Sequence, residues 1–276
     1  MVKKMKFINS LYITFDGLLD PLGQSQIVPY IKNICKYSKL TCISLEKIQK
    51  IKKFKKKKPF SKFFTWKFFY FTKKITIFSK IKDFLKIFFY ALIFCFFKKV
   101  DVIHCRRHLA ALVGIILKKF FKIKIIFDFR GFWIDERIDN GSINIEFIKD
   151  RLIYKILKCI EKIILKNTDA FIFLTDFAAS EVEKLINKKI NYKIIPCAAD
   201  YNFFKKKFLL KKKINYICYL GSLGGVYLLT DMLIFFYNLL KYYNNYKFLI
   251  ITNNIDIILN NNFYKKNLNL KKNIVI

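Results

Sequence analysis

Along the first two thirds of the chain, short runs rich in Ile, Phe, Val and Tyr alternate with longer stretches in which apolar residues return every third or fourth position. The short runs predict strands at Phe7 to Phe15, Leu40 to Leu45, Val102 to His104, Lys124 to Phe129, Ala170 to Leu174 and Tyr192 to Ile195. The longer stretches predict helices over Gln26 to Tyr37, Leu109 to Phe121, Ile145 to Lys166 and Asp176 to Asn187, the last opened by Thr175 and Asp176 as caps. Strand and helix in alternation are the signature of βαβ units and a parallel sheet, so the fold class is α/β. In such a sheet ligands bind beyond the C-terminal ends of the strands, and the loops that follow the strands should hold the chemistry.

After Pro196 the periodicity stops. The stretch CAADYNFFKKKFLLKKK reads as a linker, and a second α/β pattern follows it, with a strand at Tyr216 to Leu220, a GSLGG turn, a helix over Leu228 to Tyr243 and a strand at Lys247 to Thr252. The terminal NIVI reads as the start of a third strand. The expectation is an N-terminal domain over residues 1–200 and a partial second domain over 201–276, because a sheet that stops there leaves an edge and a face uncovered.

Composition narrows the picture. Hydrophobic residues make up 54% of the chain, far above a disordered composition. The net charge of +34 comes from lysines scattered among Ile, Phe, Asn and Tyr, a coupled bias that weakens charge as evidence of nucleic-acid binding. Nothing resembling a recognition helix or an aromatic RNA-binding strand accompanies it, and the expected partners exclude nucleic acid. So basic a surface is still attracted to anionic lipid and to phosphorylated ligands. Seven cysteines without a CxxC pair, and no cleavable signal in MVKKMKFINSLYITF, point to free thiols in a reducing, cytoplasmic setting.

Two segments have more than one reading. The apolar run Phe84 to Phe97, interrupted by Lys86 and flanked by Lys80, Lys82, Lys98 and Lys99, is shorter than the roughly 20 residues a membrane span needs. It is either a helix packed on the sheet or a helix lying in a membrane interface. The lysine-rich segment Lys47 to Lys62 reads as a solvated loop, with contact to anionic lipid as the alternative.

Candidate chemistry clusters after the strands. Asp16 to Gln26 (DGLLDPLGQSQ) leads from the first strand into a helix; Gly17 and Gly23 allow a tight backbone path, and helix N–H groups there suit a phosphate or an acceptor group, or else the segment is an ordinary connection. His104 and His108, spaced like zinc ligands, have no second cluster to complete a site, and no metal is expected. His104 at its strand end either lines the ligand site or packs, and His108 begins the next helix. In WIDER, Asp135 and Glu136 either orient acceptor hydroxyls or pair with Arg137.

Several of these segments together resemble glycosyltransferase family 4, the group 1 glycosyltransferases. DGLLDPLGQSQIVPY, VIHCRRHLAALVGIILKK, IIFDFRGFWIDERIDNG, FLTDFAASEV, IPCAAD and YLGSLGGVYLLTDML occur in family order from Leu11 onward. The resemblance implies a GT-B fold of two Rossmann-like domains, and sugar transfer from a nucleotide-diphosphate donor to a glycan or lipid-linked acceptor, with retention and without a metal or other cofactor. It implies a place in cell-surface polysaccharide, lipopolysaccharide or glycolipid assembly at the cytoplasmic membrane face. Arg130 stands where many members carry a catalytic-site histidine; being permanently charged it suits an anion, or an ion pair with Asp128, Asp135 or Glu136. His104 joins it as a catalytic candidate, with Asp16, Gln24, Asp135, Glu136 and Arg137 on the acceptor. Gly17, Gly23, Gly221, Ser222 and Gly224 are the diphosphate candidates, through backbone N–H groups. Ser222 and Tyr227 stand where members often have an arginine and a lysine, and the family's paired glutamates lie beyond the sequence. An inactive, membrane-peripheral remnant lacking the donor-binding half is therefore the alternative.

Overall fold

The computed structural model describes residues 7–54, 60, 62–72, 77–198, 215–224 and 227–276. It comprises two compact units, Met1–Glu136 with Asn144–Phe204, and Arg137–Ile143 with Lys205–Ile276. Most of the expected linker, the boundary at 200/201, residues 55–59 of the lysine run and Gly225 lie outside the described residues.

The first unit is built on seven parallel strands: β1 (Ile8–Thr14), β2 (Ser38–Glu46), β3 (Thr65–Tyr70), β4 (Val102–Arg106), β5 (Lys124–Asp128), β6 (Ala170–Phe173) and β7 (Tyr192–Ile194). They lie in the order β3-β2-β1-β4-β5-β6-β7. The order reverses between β1 and β4, and connections leaving those two strands diverge there, which opens a crevice at their C-terminal ends.

Helices cover both faces because each strand is apolar in both parities. One buried cluster joins Leu11, Ile13, Ile103, Cys105 and Phe127 to residues from α3 (Ile77–Phe97), α4 (Arg107–Phe120), α6 (Ile148–Asn167) and α7 (Asp176–Ile186). The other joins Tyr12, Leu40 and Cys42 to Ile27, Val28 and Ile31 around α1 (Val28–Ile34). Thr175 caps α7 by accepting a hydrogen bond from the Ala178 N–H at 3.3 Å, and Asn187 closes it in the left-handed region, as the capping residues predict.

Three expectations shift. The strand predicted to end at His104 continues to Arg106, so two more side chains alternate across the sheet. The lysine-rich segment contains a short helix, α2 (Ile48–Phe54), with Ile51 buried, and an unpredicted edge strand, β3, follows it. The helix after β1 starts several residues early and passes through a π turn, Gly23–Ile27, before α1.

The second unit has a parallel sheet ordered β10-β9-β8, from β8 (Tyr216–Leu220), β9 (Lys247–Ile251) and β10 (Ile274–Val275). Leu233, Phe236 and Leu240 of α8 (Leu229–Tyr242) pack with Phe248, Ile250 and Ile258 in its core. Among the described residues no helix is long and apolar enough to cross a membrane.

The β1 loop is held from β2. Glu46, fully buried, accepts the N–H groups of Leu18 at 2.6 Å and Leu19 at 3.2 Å, and the Ser44 hydroxyl at 2.7 Å. Trp66 of the edge strand donates its indole N–H to that Ser44 oxygen at 2.9 Å. Gly23 packs so closely on the returning chain that a Cβ would stand 2.0 Å from the Gly17 carbonyl oxygen. Gly23→Ala is expected to cost about 2–3 kcal/mol, since the obstacle is backbone and cannot rotate away. Glu46→Ala, which leaves three buried donors without an acceptor, should cost at least as much. Urea unfolding midpoints check both, and a neutral result at position 23 would contradict the loop geometry.

Candidate functional site

The sheet register sets the site. Tyr12, His104 and Ile126 form one row across β1, β4 and β5; Thr14, Arg106 and Asp128 form the next row toward the C-terminal edge. These side chains share the α1 face, opposite Ile103 and Cys105.

Among the described residues Arg106 is the largest fully buried side chain. Its guanidinium donates to Asp128 Oδ2 at 3.2 Å, to Gln26 Oε1 at 3.0 Å and to Asp16 Oδ2 at 3.4 Å. Asp128, also fully buried, pairs with Arg130 as well, with Nη2 to Oδ2 at 2.9 Å and Nε to Oδ1 at 2.7 Å. Arg107 reaches Asp16 Oδ2 through Nε at 3.3 Å while about half of its side chain, 48%, remains exposed. It holds a left-handed backbone at φ 67°, a conformation that an L-residue adopts at a cost of about 1–3 kcal/mol. Burial works against the Arg106 charge, and Tyr12 with the two carboxylates more than restores it, so the proton is held above the ordinary arginine range. Three guanidinium groups thus meet two carboxylates at the β1–β4 crevice, and the positive excess lies at the solvent edge. Such an edge can bind an anion that the buried part has no room for.

The sequence-predicted residues fall in different places. Asp16 and Arg130 belong to this cluster, Arg130 through the ion pair with Asp128. Gln24 uses its amide N–H to hold the Leu18 carbonyl at 2.6 Å, which stabilises the loop. Gly17 is buried beside the Glu46 carboxylate, and the neighbouring Leu18 and Leu19 N–H groups are occupied by that carboxylate. His104 lies a row deeper, between Tyr12 at 4.6 Å and Tyr30 at 5.5 Å between ring centroids. It is buried, and its Nε2 and the Tyr12 hydroxyl have no hydrogen-bond partner among the described residues. Burial pushes its pKa down to about 4, Asp128 opposing and Arg130 and Arg106 adding to the shift, so the ring is neutral at pH 7.

The WIDER loop is anchored from α6. Asp135 accepts from the Tyr154 hydroxyl at 2.8 Å and from Lys158 at 2.9 Å, and Lys158 continues to the buried Glu161, which meets His108 Nε2 at 3.0 Å. Burial raises the Glu161 pKa, but its His108 and Lys158 partners outweigh that and keep it below the usual carboxylate range. Glu136 is exposed and stands over Gly131, whose φ of 145° and lack of a side chain leave room for that carboxylate. The Arg137 carbonyl accepts the Ile143 N–H at 2.9 Å, closing the α5 turn (Glu136–Asp139).

In the second unit the Gly221 N–H bonds the Ile251 carbonyl at 3.1 Å, and the Leu223 N–H bonds Asn254 Oδ1 at 3.2 Å. The Ser222 carbonyl accepts from the Tyr219 hydroxyl at 2.6 Å, and Gly224 has φ 89°. The loop is therefore shaped from within, with two of its donors occupied. Among the described residues no group of three or more His, Cys, Asp or Glu side chains could hold a metal ion.

Arg106 and Arg107 lie beyond the strand end that the sequence predicts at His104, and so do not stand among its candidate site residues. Continuing the alternation of VIHCR, with Ile103 and Cys105 to one side and His104 and Arg106 to the other, would have found the first.

Two expectations follow from the buried charges. The unfolded state binds a His104 proton below its ordinary pKa near 6.5, whereas the native state does so only near 4. Stability should thus fall as pH drops from about 6.5 toward 4, by up to about 3 kcal/mol from this residue. In His104→Gln that part of the acid limb should flatten in urea unfolding measured across the window. Asp128→Ala leaves two guanidinium groups facing each other and should cost about 3–5 kcal/mol, more than Arg130→Gln, by the same measurement.

No protein-family model matches the chain, and no curated protein sequence matches it. Solved structures do. Sucrose-phosphate synthase from Thermosynechococcus elongatus superposes with a TM-score of 0.63 at 11% identity, over 97% of this chain and 69% of that one. Anabaena Alr3699/HepE, solved in complex with UDP, gives 0.62 at 10% identity over 97% and 68%. A glycosyltransferase from Rickettsia africae gives 0.59 at 12% identity over 98% and 68%. At such identity the likeness speaks for the fold: the chain has an α/β fold of the GT-B type, with one seven-stranded parallel sheet and a second, smaller one.

Proposed function

We propose that this chain is a glycosyltransferase of the family 4 kind, moving a sugar from a nucleotide-diphosphate donor to an anionic or lipid-linked glycan acceptor at the cytoplasmic face of a membrane. One observation carries the reading: on a GT-B-type fold, three arginines and two aspartates converge at the crevice where the strand order reverses. In this reading the acceptor docks at the C-terminal edge of β1, β4 and β5. Arg107 and Arg130 bind its negative charge, while Asp16, positioned by both Arg106 and Arg107, accepts from a hydroxyl. Arg106 and Asp128 are positioning residues, since both are closed off from solvent. His104, neutral and buried, keeps the α1 face packed. On the donor side the turn Gly221–Gly224 meets the diphosphate through those backbone N–H groups that the loop does not use itself, and the reading includes no metal. The likeness to HepE, whose structure holds UDP, supports a uridine nucleotide as the first donor to try.

The occupied N–H groups of Gly221 and Leu223, and Ser222 and Tyr227 in place of cations, favour a second reading, an acceptor-binding module without turnover.

Calorimetric titration of the folded chain with UDP-, GDP- and ADP-sugars, followed by a donor-hydrolysis assay, separates the two. Saturable binding with turnover is the expected result; a folded chain that binds none of them overturns the enzyme reading. Where there is turnover, Arg107→Gln is expected to raise KM for an anionic acceptor by about tenfold, the loss of one charge-assisted contact, with native stability kept.

A further inference from the structure

The helix α3 presents its polar and apolar residues the wrong way round for a helix that covers a sheet in water. Its inner side is made of small or slender residues, Ile87, Ala91 and Cys95, buried on the sheet. The charges that interrupt its apolar run are turned sideways to the sheet edge. Asp83 accepts from the Thr72 N–H at 3.1 Å, and Lys86 Nζ bonds Asp83 Oδ1 at 2.7 Å, Thr72 Oγ1 at 3.1 Å and the Tyr70 carbonyl at 3.0 Å. What faces outward is Phe78, Leu85, Phe89, Ile93, Phe96 and Phe97, with Phe89 53%, Ile93 55% and Phe96 74% exposed. Phe78, Leu85, Phe89, Ile93 and Phe96 recur at intervals of seven, four or three positions, which keeps them on one stripe of the helix, and Phe97 stands beside Phe96 at its end.

At the far end of α3 the stripe widens into a shallow groove of about 480 Å³, where Phe120 and Phe121 of the α4 terminus join Ile93, Phe96 and Phe97. Exposed lysines border both ends: Lys80 and Lys82 at the start, and Lys98, Lys99, Lys119 and Lys122 beside the groove. The one acidic residue of α3, Asp83, is buried and paired. An apolar stripe of this length on a soluble surface is an interaction site.

We propose that this face of α3 docks in the headgroup and acyl boundary of an anionic lipid bilayer, with the Phe and Ile side chains in the acyl layer and the bordering lysines on lipid phosphates. Charge selects the occupant. A second copy of this +34 chain would bring one lysine border against another, whereas anionic headgroups complement both borders at once. The helix lies flat on the sheet, so it meets the bilayer sideways, as an interfacial helix does. This inference rests on the α3 face and stands apart from the sugar-transfer reading. If both hold, docking also places the C-terminal edge of the sheet, where α3 begins, beside the lipid surface.

The test is cosedimentation of the full chain with vesicles of phosphatidylcholine, alone or mixed with phosphatidylglycerol. Wild type is expected to partition to the mixed vesicles. The charge-neutral variant Phe89→Ser/Ile93→Ser should partition at least about tenfold less at the same salt, with an unchanged unfolding midpoint because both side chains are exposed. Lys98→Ser/Lys99→Ser should weaken binding to the mixed vesicles only. Equal binding by wild type and the Phe89/Ile93 variant would mean that net charge alone attracts the chain, and would overturn the proposal. So would absence of vesicle binding, or sedimentation equilibrium showing a vesicle-independent dimer that the same variant dissolves.

Discussion

Asp128 is fully buried, yet its carboxylate serves two guanidinium groups. A charge so placed would raise the energy of the native state steeply if it stood alone. Arg106 and Arg130 neutralise it from the same sheet edge, and Arg106 extends the arrangement to Gln26 and Asp16. One ion-pair network therefore ties the ends of β1, β4 and β5 to the helix after β1. The positive excess that remains sits where solvent reaches it, at Arg107.

A second buried carboxylate works by hydrogen bonds alone. Among the described residues Glu46 has no arginine partner; it gathers the N–H groups of Leu18 and Leu19 and the Ser44 hydroxyl, and burial pushes its pKa up while those donors oppose the shift. The loop geometry is thus set from β2, and through Ser44 from the Trp66 of the edge strand. The two carboxylates divide the work at the crevice: one shapes the backbone, the other gathers the charge. Gln24 and the N–H groups after Gly17, attractive as ligand contacts in the sequence, are part of that shaping.

Polar residues on α3 follow the same logic at the sheet edge. Asp83 and Lys86 find each other and Thr72, which leaves the outer side of α3 apolar from Leu85 onward, with Lys80 and Lys82 exposed near its start. Of the two readings of the sequence, the packed helix describes the inner side of α3, and the exposed apolar outer side is the feature on which the proposed docking rests.

By itself the sequence determined the α/β class, the positions of most strands and helices, the division into two patterns of secondary structure, and the placement of Asp16 and Arg130 just past strand ends, where the ion-pair cluster forms. These were legible because hydrophobic periodicity and capping are local, and because a residue just past a strand end in a parallel sheet must lie at its ligand-binding edge. Arg106, the roles of Gln24 and Asp135, the burial of His104 and the outward apolar face of α3 were decided by tertiary structure alone. Each depends on a partner far along the chain: Arg106 on Asp128, Asp135 on Tyr154 and Lys158, Lys86 on the edge of β3. Parallel sheets bring such residues together through register and crossover, which no local pattern records.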